Sequence, residues 1–364
     1  MSHKNNKIKN LGRFVDLGFQ GLKTNFLRIN FPYKLTFAIT YRCNARCQIC
    51  NIWKSSSQNE LSLQEIEKFV KNSNFKWLNL TGGEPFLRED FAEIIKAFVK
   101  YNNPYVINCT TNGILTPVIL NTVETILKEV NLPKFILTVS IDGPEKIHNQ
   151  LRGVDCWRKS VETFKKLQVI SKKHDNFSCY IGFTLSPYNI GYLEETYKIL
   201  NQECNFKKES FHINIMEVSE VYYQNKGLTI EDKHNFFQKA RKEIQDFYKD
   251  RKKLINPVNI LDDLYLKWLN KYLDTQKAPF HCQALNASIF INSIGDIYPC
   301  IVFNKKLANL REIDYNLNEF WNSKLFQNTR NSIKNGNCPQ CWTPCEAYQS
   351  IVGNIFEAIF KHLF

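Results

Sequence analysis

Cys43-Asn-Ala-Arg-Cys47-Gln-Ile-Cys50 puts three thiols within eight residues, directly after Lys34–Thr40, whose β-branched and aromatic content reads as a strand. Three thiolates on one loop make an unfinished metal site. A structural zinc ion takes four protein ligands, usually as two separated pairs. A four-iron four-sulfur cluster held by three cysteines keeps one iron open to a further ligand. A second group, Cys282, Cys300, Cys338, Cys341 and Cys345, lies in the last quarter of the chain, and on residue type alone it could equally be a four-cysteine zinc site. The remaining four of the twelve cysteines, Cys109, Cys156, Cys179 and Cys204, stand alone and read as small buried apolar residues. Lone histidines are more often structural than catalytic, so His148, His212 and His281 are not nominated, and no side-chain acid, base or nucleophile is assigned.

The elements that must hold these groups are legible as alternating patterns. Residues 34–40, 75–80, 105–109, 135–141, 178–185 and 212–216 read as six strands, separated by helical segments. Ser62 with Glu65 three residues on forms a capping box, and Phe91, Ile94, Ile95 and Phe98 share one helical face. Such a β/α succession predicts a parallel sheet, open or curled toward a barrel, with functional loops at the C-terminal strand ends. Residues 225–278 are charged and helical, with Arg251–Lys253 a local basic run. A hairpin is expected around Ser293–Asp296, with Gly295 at a turn position of positive φ. Two apolar stripes mark the ends: Leu11, Phe14, Val15, Phe19, Leu22 and Phe26, and Ile351, Val352, Ile355, Phe356, Ile359, Phe360, Leu363 and Phe364. Each could be buried on the core or lie on a membrane surface.

Composition excludes several classes. With 364 residues, 43% of them hydrophobic and 23% charged, the chain is neither disordered nor collagen-like. No apolar run spans a bilayer, and Arg13, Asp16 and Lys23 interrupt any signal peptide, so the cytosol is the expected compartment, where structural disulfides are not expected. The formal charge of +13 comes from dispersed basic residues without a nucleic-acid-binding motif. A non-enzymatic zinc-stabilised binding protein remains the rival class. No glycine-rich G-x-G loop follows a strand as an ordinary methyltransferase would need.

The cysteine triplet resembles the C-x3-C-x2-C motif of the radical S-adenosylmethionine (radical SAM) enzymes, and further motifs accompany it. Thr81-Gly82-Gly83-Glu84-Pro85 follows the second strand, where that family carries its Gly-Gly-Glu motif. Thr110-Thr111-Asn112-Gly113 follows the third, and Ser140-Ile141-Asp142-Gly143-Pro144 the fourth, with Leu151-Arg152-Gly153 beyond. The resemblance implies a partial (β/α)6 TIM-type barrel, with a 4Fe-4S cluster on Cys43, Cys47 and Cys50. It also implies S-adenosylmethionine contacts from Gly82, Gly83, Glu84, Thr111, Asn112, Ser140, Asp142 and Arg152. Glu84 is expected on the methionine ammonium group, Ser140 near the ribose and Arg152 on the carboxylate. The chemistry implied is reductive cleavage of the cofactor to a 5′-deoxyadenosyl radical, which takes a hydrogen atom from the substrate, with electrons from an external one-electron donor.

Cys282-x12-Gly295-x4-Cys300 and Cys338-x2-Cys341-x3-Cys345 resemble the SPASM auxiliary-cluster module or its shortened twitch form. Five cysteines imply one auxiliary 4Fe-4S cluster on Cys282, Cys300 and two of Cys338, Cys341 and Cys345, as an electron relay. The expected organisation is an amphipathic helical segment at 1–30, a core barrel at 31–222, a helical connector at 223–279, a small α+β cysteine-rich module at 280–348 and a C-terminal amphipathic helix at 349–364. A peptide or protein is the first substrate expectation. A carbohydrate or lipid-linked intermediate, with peripheral membrane contact through the terminal helices, is the second.

Overall fold

Period-two burial, with one face of each strand against helices, generates the architecture. The computed structural model describes residues 2–27, 29–55, 58–132, 134–228, 230–249 and 257–360. Helix α1 (Ser2–Phe26) leads into six strands: β1 (Lys34–Thr40), β2 (Trp77–Gly82), β3 (Val106–Thr111), β4 (Phe135–Ser140), β5 (Phe177–Leu185) and β6 (Phe211–Ile215). Between them run α2 (Leu63–Lys71), α3 (Phe91–Asn102), α4 (Thr116–Glu129), α5 (Glu145–Arg152), α6 (Trp157–Lys173) and α7 (Leu193–Cys204). Then come α8 (Lys233–Tyr248), α9 (Pro257–Thr275), β7 (Ser288–Ile291), β8 (Asp296–Tyr298), β9 (Ala308–Asn309), α10 (Leu317–Trp321), α11 (Lys324–Lys334), α12 (Pro344–Gly353) and α13 (Ile355–Phe360).

The sheet order is β6-β5-β4-β3-β2-β1-β7-β8-β9, and β1 to β6 are all parallel. β1 does not pair with β6, so the ring is incomplete; yet Thr36, Asn79, Asn108, Thr138, Gly182 and His212, one from each strand, line a single internal cavity. This is a partial (β/α)6 barrel, the curled alternative of the two that the sequence pattern leaves open. Its helices are built as their sequences indicate. Ser62 and Glu65 form a reciprocal capping box on α2, and Phe91, Ile94, Ile95 and Phe98 of α3 are buried.

The C-terminal module forms no separate sheet. β7 pairs parallel with β1, and β8 and β9 follow antiparallel, so the module is an extension of the barrel wall. The expected hairpin is present, and Gly295 turns it at φ +89°.

The terminal helices divide between the two expectations. α1 packs on α12, with Gly21 against Val352, and buries Leu17 and Thr24, while Val15, Phe19 and Phe26 of the stripe read from sequence are 51%, 59% and 75% exposed. Glycine decides which face turns inward: a Cβ on Gly21 would lie 2.2 Å from Val352 Cγ1. Ile351 is buried, whereas Phe356 and Ile359 face outward. Leu363, Phe364 and the Arg251–Lys253 run lie outside the described residues. Among the described residues no helix is long and apolar enough to cross a membrane. Gly21→Leu is expected to overpack the α1–α12 contact and to lower stability by about 1–3 kcal/mol in urea denaturation; an unchanged midpoint would contradict this packing.

Candidate active site

The cysteine loop is fixed by backbone bonds on two sides. Arg46 N and Gln48 N donate to the carbonyls of Arg152 and Leu151, both at 2.8 Å, stitching the loop to the end of α5. Asn51 N donates to Tyr223 O at 2.8 Å, and Asn225 Nδ2 to Ile49 O at 2.8 Å. Gly153 ends α5 at φ +66°, and a Cβ there would stand 2.3 Å from Arg46 O. Only glycine satisfies both the turn and the approach.

The Gly-Gly-Glu segment serves the same junction. Gly83 N donates to Thr40 O at 2.9 Å and Glu84 N to Arg42 O at 2.8 Å, while a Cβ on either glycine would lie 2.2 Å from those carbonyls. Glu84, expected on the methionine ammonium group, is held by protein donors in this structure. It is fully buried behind the cavity wall and accepts from Thr111 Oγ1 at 2.8 Å, Asn112 N at 2.7 Å and Phe86 N at 3.3 Å. Burial pushes its pKa up to about 7 against those bonds. Glu84 therefore ties the ends of β2 and β3 together.

The other expected residues of the first site converge. Cys43, Cys47, Cys50, Gly82, Gly83, Thr111, Asn112, Ser140, Asp142 and Arg152 all line one chamber of about 310 Å³ inside the barrel. Asn112 also reaches the cysteine loop, its Nδ2 donating to Asn44 Oδ1 at 2.7 Å. Asp142 is 1% exposed, accepts from Thr184 N at 2.8 Å and pairs with Arg152, so it orients the guanidinium. Arg152 Nη1 points at Cys47 Sγ from 3.7 Å, and its Nε is buried without a hydrogen-bond partner. His148 is structural, as its type suggests: it is buried, and its Nδ1 accepts from Asp142 N at 3.1 Å.

These groups fit a cluster carrying an amino-acid cofactor. Burial pushes the Cys43 thiol up to about 11 and that of Cys50 to about 12, and each accepts a backbone N–H from the residue two positions on, Ala45 and Ile52. Such amides stabilise thiolate once iron replaces the proton. The orphaned Arg152 Nε is a donor suited to a carboxylate.

The same local geometry recurs in the C-terminal module and divides its cysteines. Cys282, Cys300 and Cys341 accept backbone N–H groups from Ala284, Val302 and Thr343, each two residues on, and Gln340 Nε2 reaches Cys338 Sγ at 3.6 Å. Burial first raises the thiols of Cys282, Cys300 and Cys341 well above the ordinary value, followed by Glu346 for Cys282 and Cys300 and by Cys300 and Glu217 for Cys341. Cys345 differs. It sits in the first turn of α12, lines the barrel chamber and takes Asn79 Nδ2 at 3.4 Å, with the Lys34 amine beside it. Cys345 thus has chamber-side contacts of its own, with Asn79 and Lys34.

Sequence reading missed the rest of the chamber. Its wall below the cysteine loop is polar: Thr36, Asn79, Asn108, Thr110, Thr138, Thr184 and Asn214 all point inward. The signal was the period-two alternation of Thr, Asn and Ser along the strands. Lys34 at the chamber floor is 1% exposed, lies 5.0 Å over the Trp77 ring and donates to Gln349 Oε1 at 2.8 Å. Tyr222, from the loop after β6, donates to Gly82 O at 3.0 Å.

A half-barrel with a three-thiol loop facing a cofactor-sized chamber defines a cluster enzyme whose open metal position lies inside the barrel. The family model of the Radical SAM superfamily matches residues 37–200, and that of the SPASM iron-sulfur cluster-binding domain matches residues 282–346. The chain belongs to the radical SAM superfamily and carries a C-terminal SPASM module; it is an enzyme of that class, with S-adenosylmethionine and iron-sulfur clusters as its cofactors.

Among relatives, a protein named "Probable GTP 3′,8-cyclase" from Sulfurisphaera tokodaii is 27% identical over 293 residues, 78% of this chain and 87% of its own length. A GTP 3′,8-cyclase from Aliarcobacter butzleri is 36% identical over 133 residues, 35% of this chain and 37% of that protein. Two solved structures share the fold. Streptococcus suis SuiB bound to S-adenosylmethionine is 17% identical with a TM-score of 0.57, covering 83% of this chain and 68% of SuiB. Native anSMEcpe with bound AdoMet is 18% identical with a TM-score of 0.57, covering 91% and 98%.

The division of the cysteines is testable by iron content. Cys345→Ala is expected to retain the wild-type iron and sulfide after anaerobic reconstitution, while Cys341→Ala loses about one cluster's worth, roughly four irons. Equal loss in the two variants would return Cys345 to the ligand set.

Proposed function

We propose that this enzyme takes a hydrogen atom from a carbon of a substrate held in the barrel chamber, beneath the cysteine loop. The observation that supports this most is the convergence of Cys43, Cys47, Cys50 and the ends of β2 to β5 on one enclosed space. When bound, a cluster on the three cysteines with S-adenosylmethionine supplies the 5′-deoxyadenosyl radical. Arg152, oriented by Asp142, would hold the cofactor carboxylate, and the backbone of Gly82 and Gly83 lets the β2 end close against the cysteine loop. Cys282, Cys300, Cys338 and Cys341 would hold an auxiliary cluster, an acceptor for the electron a substrate radical gives up. An external one-electron donor is needed.

Two features bear on the substrate. Among the described residues the cations lining the chamber are Lys34, which donates to Gln349, and Arg152, which pairs with Asp142 and is assigned above to the cofactor carboxylate. A nucleoside triphosphate wants several free donors around its phosphates, so the GTP named for the relatives is not carried over. A peptide has support from the fold shared with SuiB, which is also solved bound to its precursor peptide SuiA. An apolar recess, however, adjoins the chamber floor and shares Trp77, His212 and Tyr348 with it, which favours an intermediate carrying a hydrocarbon part over a peptide.

With dithionite and S-adenosylmethionine, GTP is expected to leave the yield of 5′-deoxyadenosine unchanged. Arg152→Ala is expected to weaken S-adenosylmethionine binding about tenfold or more while keeping the iron, a loss of about 1.4 kcal/mol per factor of ten. GTP-dependent turnover to a cyclised nucleotide would overturn the substrate reading, and unaltered cofactor affinity would overturn the role of Arg152.

A further inference from the structure

We infer that the recess under the barrel is the binding site for one hydrocarbon chain, acyl or isoprenoid, that is covalently part of the substrate. This deepens the reading above and rests on it. The recess has a volume of about 380 Å³ and adjoins the reaction chamber: Trp77, Asn108, Thr138, His212 and Tyr348 line both. Its walls are Leu22 of α1, Val106 and Ile136 at the starts of β3 and β4, Leu264 of α9, Val352 of α12 and Ile355 of α13. Among the described residues no lysine or arginine lines it, and its carboxylate, Asp262, is 2% exposed and accepts from the Tyr348 hydroxyl at 3.3 Å.

The chemistry of the occupant follows from what the walls leave unmatched. A peptide in the recess would bring an N–H and a C=O with every residue, and aliphatic walls would leave them unpaired at a cost. A hydrocarbon chain brings neither. Polarity runs along one axis: cysteines and Arg152 at the top, Thr and Asn side chains in the middle, aliphatic residues at the bottom. An amphiphile would thread it with its polar part toward the cofactor and its tail between the terminal helices. Thr36 Oγ1 and Thr343 Oγ1, both buried in the chamber and without hydrogen-bond partners, are donors for that polar part.

The recess also has a source of chains. The helices that wall it carry apolar side chains on their outer faces: Val15 and Phe19 on α1, Ile260 on α9, Phe356 and Ile359 on α13. Ile260 both lines the recess and is 47% exposed, which marks the opening. Exposed apolar residues on neighbouring helices suit contact with a lipid surface from which one chain is drawn.

The test is equilibrium dialysis of the reconstituted holoenzyme against radiolabelled palmitate and radiolabelled farnesyl phosphate, each below its critical micelle concentration. At least one probe is expected to bind saturably at one per chain, and the preferred probe distinguishes an acyl from an isoprenoid tail. Ile136→Trp and Leu264→Trp, which fill the recess, are expected to weaken that binding about tenfold or more while retaining iron and substrate-free formation of 5′-deoxyadenosine. Should the tryptophans cost the fold, labelling of wild type with a diazirine-bearing palmitate is expected to fall on residues of α9 and α12. No stoichiometric binding of either probe, equal binding in the filled variants, or labelling confined to the outer surface would overturn the inference. Loss of 5′-deoxyadenosine formation with chain binding intact would overturn the radical reading instead.

Discussion

Everything at this site depends on one backbone seam. The loop carrying Cys43, Cys47 and Cys50 has no regular structure of its own, yet its thiols must be held fixed relative to the guanidinium of Arg152. The seam achieves this with two amides, Arg46 N and Gln48 N, bonded to the last carbonyls of α5, where a helix would otherwise leave acceptors unpaired. Gly153 permits the contact by turning to positive φ where a side chain would strike Arg46 O. Arg152 therefore does two separate jobs. Its carbonyl anchors the loop, and its guanidinium, steered by Asp142, faces the cavity.

From that seam the chemistry of the chamber is graded along the barrel axis. Parallel strands end in loops on one face, so the cysteine loop, the Gly-Gly-Glu turn and the β3 to β5 ends share the top. Below, alternate residues of each strand point inward, and here they are mostly Thr and Asn, in place of the branched aliphatics that would fill the interior. The ring stays open between β1 and β6, and the wall is instead continued by β7, which brings the auxiliary cysteines and α12 with it. Cys345 and Lys34 meet at that boundary. Their burial beside the reaction chamber is a consequence of the module being built onto β1.

Sequence patterns revealed those parts of the structure that depend on neighbours in the chain. Strand β1 was legible to the residue because Lys34–Thr40 is a short β-rich run, and the capping box of α2 because it is a four-residue motif. The convergence of Ser140 and Arg152 was legible only through the family resemblance, since spacing alone does not fold α5 back over the cysteine loop. What stayed hidden depends on distant contacts. That Glu84 faces β3 is set by Thr111 and Asn112, and that Cys345 lines the chamber is set by its place in the first turn of α12. The inward face of α1 was left open because hydrophobic periodicity favours Val15 and Phe19, while the close approach of Val352 selects the glycine face. Small residues leave no hydrophobic signal, though they set the contact.

The most direct test of the account is anaerobic reconstitution followed by reduction with dithionite in the presence of S-adenosylmethionine, with 5′-deoxyadenosine as the readout. Wild type is compared with Cys43→Ala/Cys47→Ala/Cys50→Ala. The account predicts 5′-deoxyadenosine from wild type and none from the triple variant, which should still carry the iron of its C-terminal module. Failure of a fully iron-loaded wild type to form the product, or equal formation by the triple variant, would contradict it.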